Sequence, residues 1–271
     1  IVTATIPNFP ALTFNLSTRL PGPSLTAASF RNYSTGEQAI APGLLVKISG
    51  QGIATAVNGE FWANMLKAKL PTELMGFKVE FVWNGGQAFA PIMAIGNTGG
   101  MEWALVQAPF EMTGTTASAI ASYGGGSTTV ASIPVRPLMP GILEEVFEGT
   151  RKTAIAVRPD GTVITETNRA RKGEEVRMYV IGMGQTSPMT ATNRVGDPDQ
   201  KIALPVIVGL ETGKAAQVVE AKLAENLIGI YEVVFVVPQD APSGTNVLVA
   251  CAIESTPGNW IWSNESTIAI Q

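Results

Sequence analysis

The sequence predicts an all-β protein made of two β-sandwiches in tandem, led by an extended N-terminal strand. Three observations point there. Short β-branched and aromatic runs recur along the chain, punctuated by turn residues drawn from its 28 Gly and 18 Pro. Helical spacing of apolar residues is scarce. Blocks of the first half return in the second at a nearly constant offset.

The chain opens on Ile1-Val-Thr-Ala-Thr-Ile-Pro-Asn-Phe-Pro-Ala-Leu-Thr-Phe-Asn-Leu16. Val2, Ala4 and Ile6 alternate with Thr3 and Thr5, the period-two pattern of a strand, and Pro21-Gly22-Pro23 then breaks the chain. Residues 1–22 therefore read as an apolar arm ahead of the first sandwich. Because the numbering begins at Ile1 rather than Met, a removed leader or a trimmed chain is expected. An apolar terminal ribbon needs a groove to lie in. Two placements are open: the sheet of its own sandwich, or that of a neighbouring molecule. In the second case Val2, Ala4, Ile6, Phe9, Leu12 and Phe14 would fill the pockets.

Along the body, strands are expected over Leu44–Ile48, Phe77–Trp83, Trp103–Ala108, Thr128–Ile133, Val176–Ile181, Leu204–Val208, Tyr231–Val237 and Thr267–Ile270. The one segment with helical spacing is Asn58–Lys69, through Phe61, Met65 and Leu66, where a turn or two of helix is expected. Ala216–Leu227 contains helix formers, but Gln217-Val-Val219 and the following Ile-Gly-Ile favour strand. Gly124-Gly-Gly126 reads as a hairpin loop.

The internal repeat rests on three blocks. Gly43-Leu-Leu-Val-Lys-Ile with Gly50-Gln-Gly52 parallels Gly173-Glu-Glu-Val-Arg-Met-Tyr with Gly182-Met-Gly184. Val79 through Gly86 parallels Val206 through Gly213, and Trp103 through Pro109 parallels Glu232 through Pro238. The offsets are 130, 127 and 129 residues. A duplicated sandwich follows, with units at 23–136 and 137–271 and a join near the proline-rich Pro134–Gly141. The ordered series Ala27-Ala-Ser-Phe, Ile40-Ala-Pro-Gly43, Leu70-Pro-Thr-Glu-Leu-Met-Gly-Phe-Lys-Val79, Ala108-Pro-Phe-Glu111, Pro140-Gly-Ile142, Lys172-Gly-Glu174, Tyr179-Val-Ile-Gly-Met-Gly184 and Gly229–Pro238 resembles a tandem immunoglobulin-like module. That module is abundant in secreted and cell-surface proteins of acidobacteria, the Solibacter-type C-terminal domain. The resemblance spans roughly residues 25–271 and implies immunoglobulin-like sandwiches and an extracellular or cell-surface location; it implies no activity.

Composition narrows the chemistry. Histidine is absent and Cys251 is the single cysteine, so neither a Ser-His-Asp or Cys-His arrangement nor a zinc site of the Cys/His type can be built. Cys251 lies in the apolar run Val247–Ile253 and reads as a small buried hydrophobe. Charged residues make up 15%, against roughly 25% on average. A net charge of −4 offers no basic footprint for nucleic acid. The longest apolar stretch, Leu227–Val237, is broken by Glu232 and is too short to span a membrane as a helix.

The remaining constellations admit bland and specific readings. Glu144, Glu145 and Glu148 form either a paired-acid site or a solvated edge. Gly196-Asp-Pro-Asp199 offers two calcium ligands or an Asx turn. Gly182-Met-Gly184 lacks the Lys-Ser/Thr and following helix of a phosphate cradle. Trp260 and Trp262 share one face of a strand and, with Tyr123, could contact a partner or a glycan if exposed. Sequons place possible glycans on Asn15, Asn32 and Asn264. The function expected is a structural subunit of an extracellular filament, pilus or sheath, a homopolymer joined through the arm, without cofactor, metal or catalytic residue. The alternative is a secreted adhesin or carbohydrate-binding module; a carboxylate hydrolase ranks third.

Overall fold

A computed structural model describes residues 2–4, 7, 12–14, 21–64, 69–211, 213 and 215–271, with the backbone alone for 2–4 and 12–14. The leading segment holds two short strands rather than one, β1 (Val2–Ala4) and β2 (Leu12–Phe14). They pair antiparallel with each other, Val2 opposite Phe14 and Ala4 opposite Leu12, and belong to neither sandwich's sheets.

The first sandwich comprises β3 (Phe30–Asn32), β4 (Leu45–Gly50), β5 (Gly59–Trp62), β6 (Lys78–Trp83), β7 (Gly86–Phe89), β8 (Ile92–Thr98), β9 (Met101–Gln107), β10 (Thr116–Tyr123) and β11 (Gly126–Pro134). One antiparallel sheet runs β3-β4-β9-β8-β5 and the other β11-β10-β6-β7. Strands β3, β4, β9 and β8 thus stand in the A-B-E-D order of an immunoglobulin sheet, and β11, β10, β6 and β7 in the order G-F-C-C′. Strand β5 is an addition beyond the D position. The sheets face each other across a core in which the Phe30 and Phe81 rings meet edge-on at 6.0 Å. The fully interior residues of β10 in this core are Ala117, Ala119 and Ala121, small side chains set against large ones, with Tyr123 packed at its margin.

The second sandwich repeats the plan. Its strands are β12 (Gly141–Ile142), β13 (Glu144–Glu145), β14 (Thr153–Ala154), β15 (Ala156–Val157), β16 (Glu175–Ile181), β17 (Thr186–Ser187), β18 (Lys201–Ile202), β19 (Val206–Leu210), β20 (Ala215–Leu223), β21 (Tyr231–Val236), β22 (Gly244–Thr256), β23 (Asn259–Trp262) and β24 (Ser266–Ile270). The order β12-β16-β21-β20 is again A-B-E-D, and β19-β22 with β23 and β24 is C-F-G. The three repeated sequence blocks fall on corresponding strands: β4 and β16, β6 and β19, β9 and β21. The halves differ at the crossing between sheets. Ala90-Pro91 separates β7 from β8, since proline has no N–H to give a ladder. In the second half no proline intervenes, so β20 runs through, pairing first with β19 and then with β21.

The tandem is closely packed. Phe110 of the first half lies in the second core, whereas Met139, Leu143 and Ile181 lie in the first. The intervening segment is bonded to both sandwiches: Arg136 N–H donates to the Ile40 carbonyl and Met139 N–H to the Gly182 carbonyl. The expected helix at Asn58–Lys69 is corrected over its start, where β5 forms as an edge strand paired to β8; residues 65–68 lie outside the described ones.

Candidate functional site

Two surface features combine exposure with shape. The first is the free edge of β5. Cross-strand register links Phe30, Ile48, Ala104 and Ile95 into one row of fully buried side chains, and Phe61 is the next member of that row. Phe61 is nevertheless 46% exposed, because among the described residues β5 pairs on one side only. Its neighbour Trp62 is 52% exposed on the opposite face, with its indole N–H donating to Glu60. An edge of this kind offers unpaired backbone groups beside apolar side chains.

The second is a cleft of about 550 Å³ on the outer face of the second sandwich. Its floor is the cross-strand pair Gly209 and Ala250, where alternation puts small side chains outward. Leu248 and Trp262 flank it, 40% and 53% exposed, and Glu211, Gly213, Ala215, Ser263 and Glu265 are also in the lining. Glu211 sits at a positive φ of 59° and accepts a hydrogen bond from Leu248 N–H at 3.2 Å, which fixes the loop beside the floor. Trp260 is half-buried and lies outside the lining, and Tyr123 belongs to the other sandwich, accepting a hydrogen bond from Ala56 N–H. The three aromatic candidates are therefore not one site.

The remaining candidates resolve into structure. Asn32 is corrected as a glycan acceptor: it is buried, its amide donates to the Met139 carbonyl, and its oxygen accepts from Ser34 and Thr35 N–H. A glycan there would displace the tandem junction. Asn264 is half-buried, its oxygen accepting from Ile142 N–H at 2.8 Å. Asn15, Ile6 and Phe9 lie outside the described residues, whereas Val2, Ala4, Leu12 and Phe14 sit in the β1–β2 ribbon. The three acids Glu144, Glu145 and Glu148 have separate engagements. Glu144 accepts from the Ser266 hydroxyl, Glu145 from Val146 N–H, and Glu148 from Thr167, whose hydroxyl holds that carboxyl below its usual range.

Asp197 and Asp199 form a turn in which Asp197 accepts from Asp199 N–H, and no group of three potential ligands to a metal occurs among the described residues. Gly182 packs its backbone against Met139, where a side chain would collide, and the Gly184 carbonyl accepts from the buried Tyr231 hydroxyl. Burial pushes the Cys251 thiol up to about 12. Neither the free β5 edge nor the small-residue floor under Trp262 was foreseen from the sequence. The signals were present as two adjacent exposed-strand aromatics and as Gly209 in a β-branched strand.

No family model matches the chain, and no curated protein does. Among solved structures, the chain is similar to the crystal structure of murine CEACAM1b at 10% identity, over 86% of this chain and 96% of that one, with a TM-score of 0.21. A likeness at that score carries no argument; the immunoglobulin-like class rests on the strand order of the two sandwiches. No helix among the described residues is long and apolar enough to cross a membrane.

Proposed function

We propose that this protein is a structural subunit that polymerises by strand addition, the apolar leading segment of one copy completing a sheet of the next. The observation that carries the reading is the β5 edge, where a buried core row runs out to the half-exposed Phe61 with no strand beside it among the described residues. The donor side is supported by the β1–β2 ribbon, which lies in neither sandwich's sheets. An isolated two-stranded ribbon is marginal in water and gains stability by joining a larger sheet. Backbone hydrogen bonds then supply affinity, and the apolar side chains of the segment cover Phe61 and Trp62. Such a contact is head-to-tail and does not close, so it propagates as a fibre. A secreted or surface-displayed location goes with this reading, as does the resemblance to acidobacterial surface modules.

The test is a charged edge. Phe61→Lys with Trp62→Lys places two ammonium groups where the incoming strand would lie, a device by which edge strands resist pairing. Both positions are half-exposed, so the variant is expected to fold with an unchanged circular dichroism spectrum. Sedimentation should show polymer for the unsubstituted chain and monomer for the variant. Polymers of undiminished length from the variant would overturn the reading.

A further inference from the structure

We infer that Asn84 is a self-modification site: the Gly85 nitrogen attacks its side-chain amide, ammonia leaves, and water opens the resulting succinimide to aspartate and isoaspartate. The inference is independent of the assembly reading. The chain holds two Asn-Gly pairs, Asn58-Gly59 and Asn84-Gly85. Glycine, without a Cβ, obstructs such a ring closure least of all residues. Both asparagines are exposed, so exposure does not separate them. The engagement of the attacking nitrogen does.

At the first pair that nitrogen is occupied. Gly59 stands opposite Asn97 in the β5–β8 register, and Ala63 N–H, four residues on, donates to the Met93 carbonyl. Hydrogen-bonded and non-hydrogen-bonded pairs alternate along an antiparallel ladder, so Gly59 and Asn97 are again a bonded pair. Asn84 and Gly85 instead form the two-residue turn between β6 and β7, with Trp83 opposite Gly86. Neither the Gly85 N–H nor the Asn84 side-chain amide has a hydrogen-bond partner among the described residues. The exposed Thr113 hydroxyl donates to the Asn84 carbonyl at 3.1 Å. That oxygen shares a resonant peptide group with the Gly85 nitrogen, so it carries the charge when the nitrogen gives up its proton. A hydrogen bond to a charged oxygen is stronger than one to a neutral oxygen, and Thr113 thereby activates the nucleophile.

The step balances without a cofactor. The bond from Gly85 N to Asn84 Cγ forms as the bond from Cγ to the amide nitrogen breaks. Solvent base takes the Gly85 proton, and the departing nitrogen takes one to leave as ammonia. Water opening the ring at Cγ gives aspartate; opening at the main-chain carbonyl gives isoaspartate. Either product adds one negative charge to the net −4. Isoaspartate also adds a main-chain carbon to a tight turn, where the Trp83 ring lies so close over Gly86 that a Cβ there would collide.

The experiment incubates the full chain in mildly alkaline buffer, with and without urea. Peptide mass spectrometry reads conversion at each asparagine, and an isoaspartyl methyltransferase counts isoaspartate. In the native chain Asn84 is expected to convert about five-fold faster than Asn58 or more, the factor that one ordinary hydrogen bond is worth. In urea the two rates should converge, because the ladder at Gly59 is gone. Thr113→Val, an exposed substitution that should leave the melting temperature unchanged, is expected to slow Asn84 about five-fold in the native chain and to leave Asn58 as it was. Native conversion at Asn84 no faster than at Asn58 would overturn the inference. So would an Asn84 that converts only in urea, or a native Asn84 rate untouched by Thr113→Val.

Discussion

Asn193 holds the two sandwiches together with the geometry of a backbone ladder. Its side-chain oxygen accepts from Leu70 N–H and its amide donates to the Leu70 carbonyl, both at 2.8 Å, while its own N–H donates to Gln107. It sits at a φ of 61°, which asparagine tolerates better than most residues. Asn193→Ala would leave the Leu70 backbone groups unpaired, at a cost of about 1–3 kcal/mol, and add roughly 1 kcal/mol of backbone strain. Asn193→Gly should show the first cost without the second; urea unfolding of the two variants separates them. Cys251 gives a second prediction. Burial raises its pKa from 9.0 to about 12, so the neutral thiol dominates through pH 9 and thiolate chemistry is suppressed. A thiol-disulfide reagent at pH 8 should label the native chain only as fast as it unfolds, and denaturant should expose one equivalent at once. Asn32 shows where residue-level reading stops. Its sequon is visible in the sequence, but its burial under Met139 depends on the tandem junction. Mass spectrometry of the chain made in a glycosylating host should find Asn32 bare.

At the scale of elements, legibility followed side-chain type. The β-branched strands β4, β6, β16 and β21 were plain in the sequence, because Val, Ile and aromatic residues fit a pleated surface on both faces. Strand β10 was not. Its Thr-Ala-Ser-Ala-Ile-Ala-Ser-Tyr run carries no propensity signal, and its inward alanines answer the bulk of Phe81 beside them in the same sheet and of Phe30 across the core. Strand β5 misled in the opposite direction, since Phe61, Met65 and Leu66 have helical spacing while tertiary pairing to β8 makes the start of the segment a strand. The Trp262 groove escaped for a related reason. Its aromatic wall could be named in sequence, but its floor comes from the register that sets Gly209 opposite Ala250. A substitution at that floor follows: Ala250→Leu, on a half-buried outward position, should leave stability within about 1 kcal/mol of the unsubstituted chain in urea unfolding.

At the scale of the molecule, the duplication explains the shared plan, and the departures from it coincide with the two exposed surface features. The first half carries an added strand at its D edge, paired on one side only among the described residues; the second carries the outward cleft on its C-F-G sheet. Reciprocal packing of Phe110 into one core and Met139 into the other joins the two sandwiches through their interiors. With 15% charged residues, stacked copies would repel one another little. Repeat and boundary were readable because equivalent strands kept their apolar pattern; the β5 edge was not, because an edge becomes an edge only when the neighbouring strands are placed. The central claim is tested most directly by electron microscopy of the full chain beside a chain lacking residues 1–20. Filaments from the full chain and folded, solitary particles from the shortened one are expected. Filaments from the shortened chain, or solitary particles from both at high concentration, would contradict it.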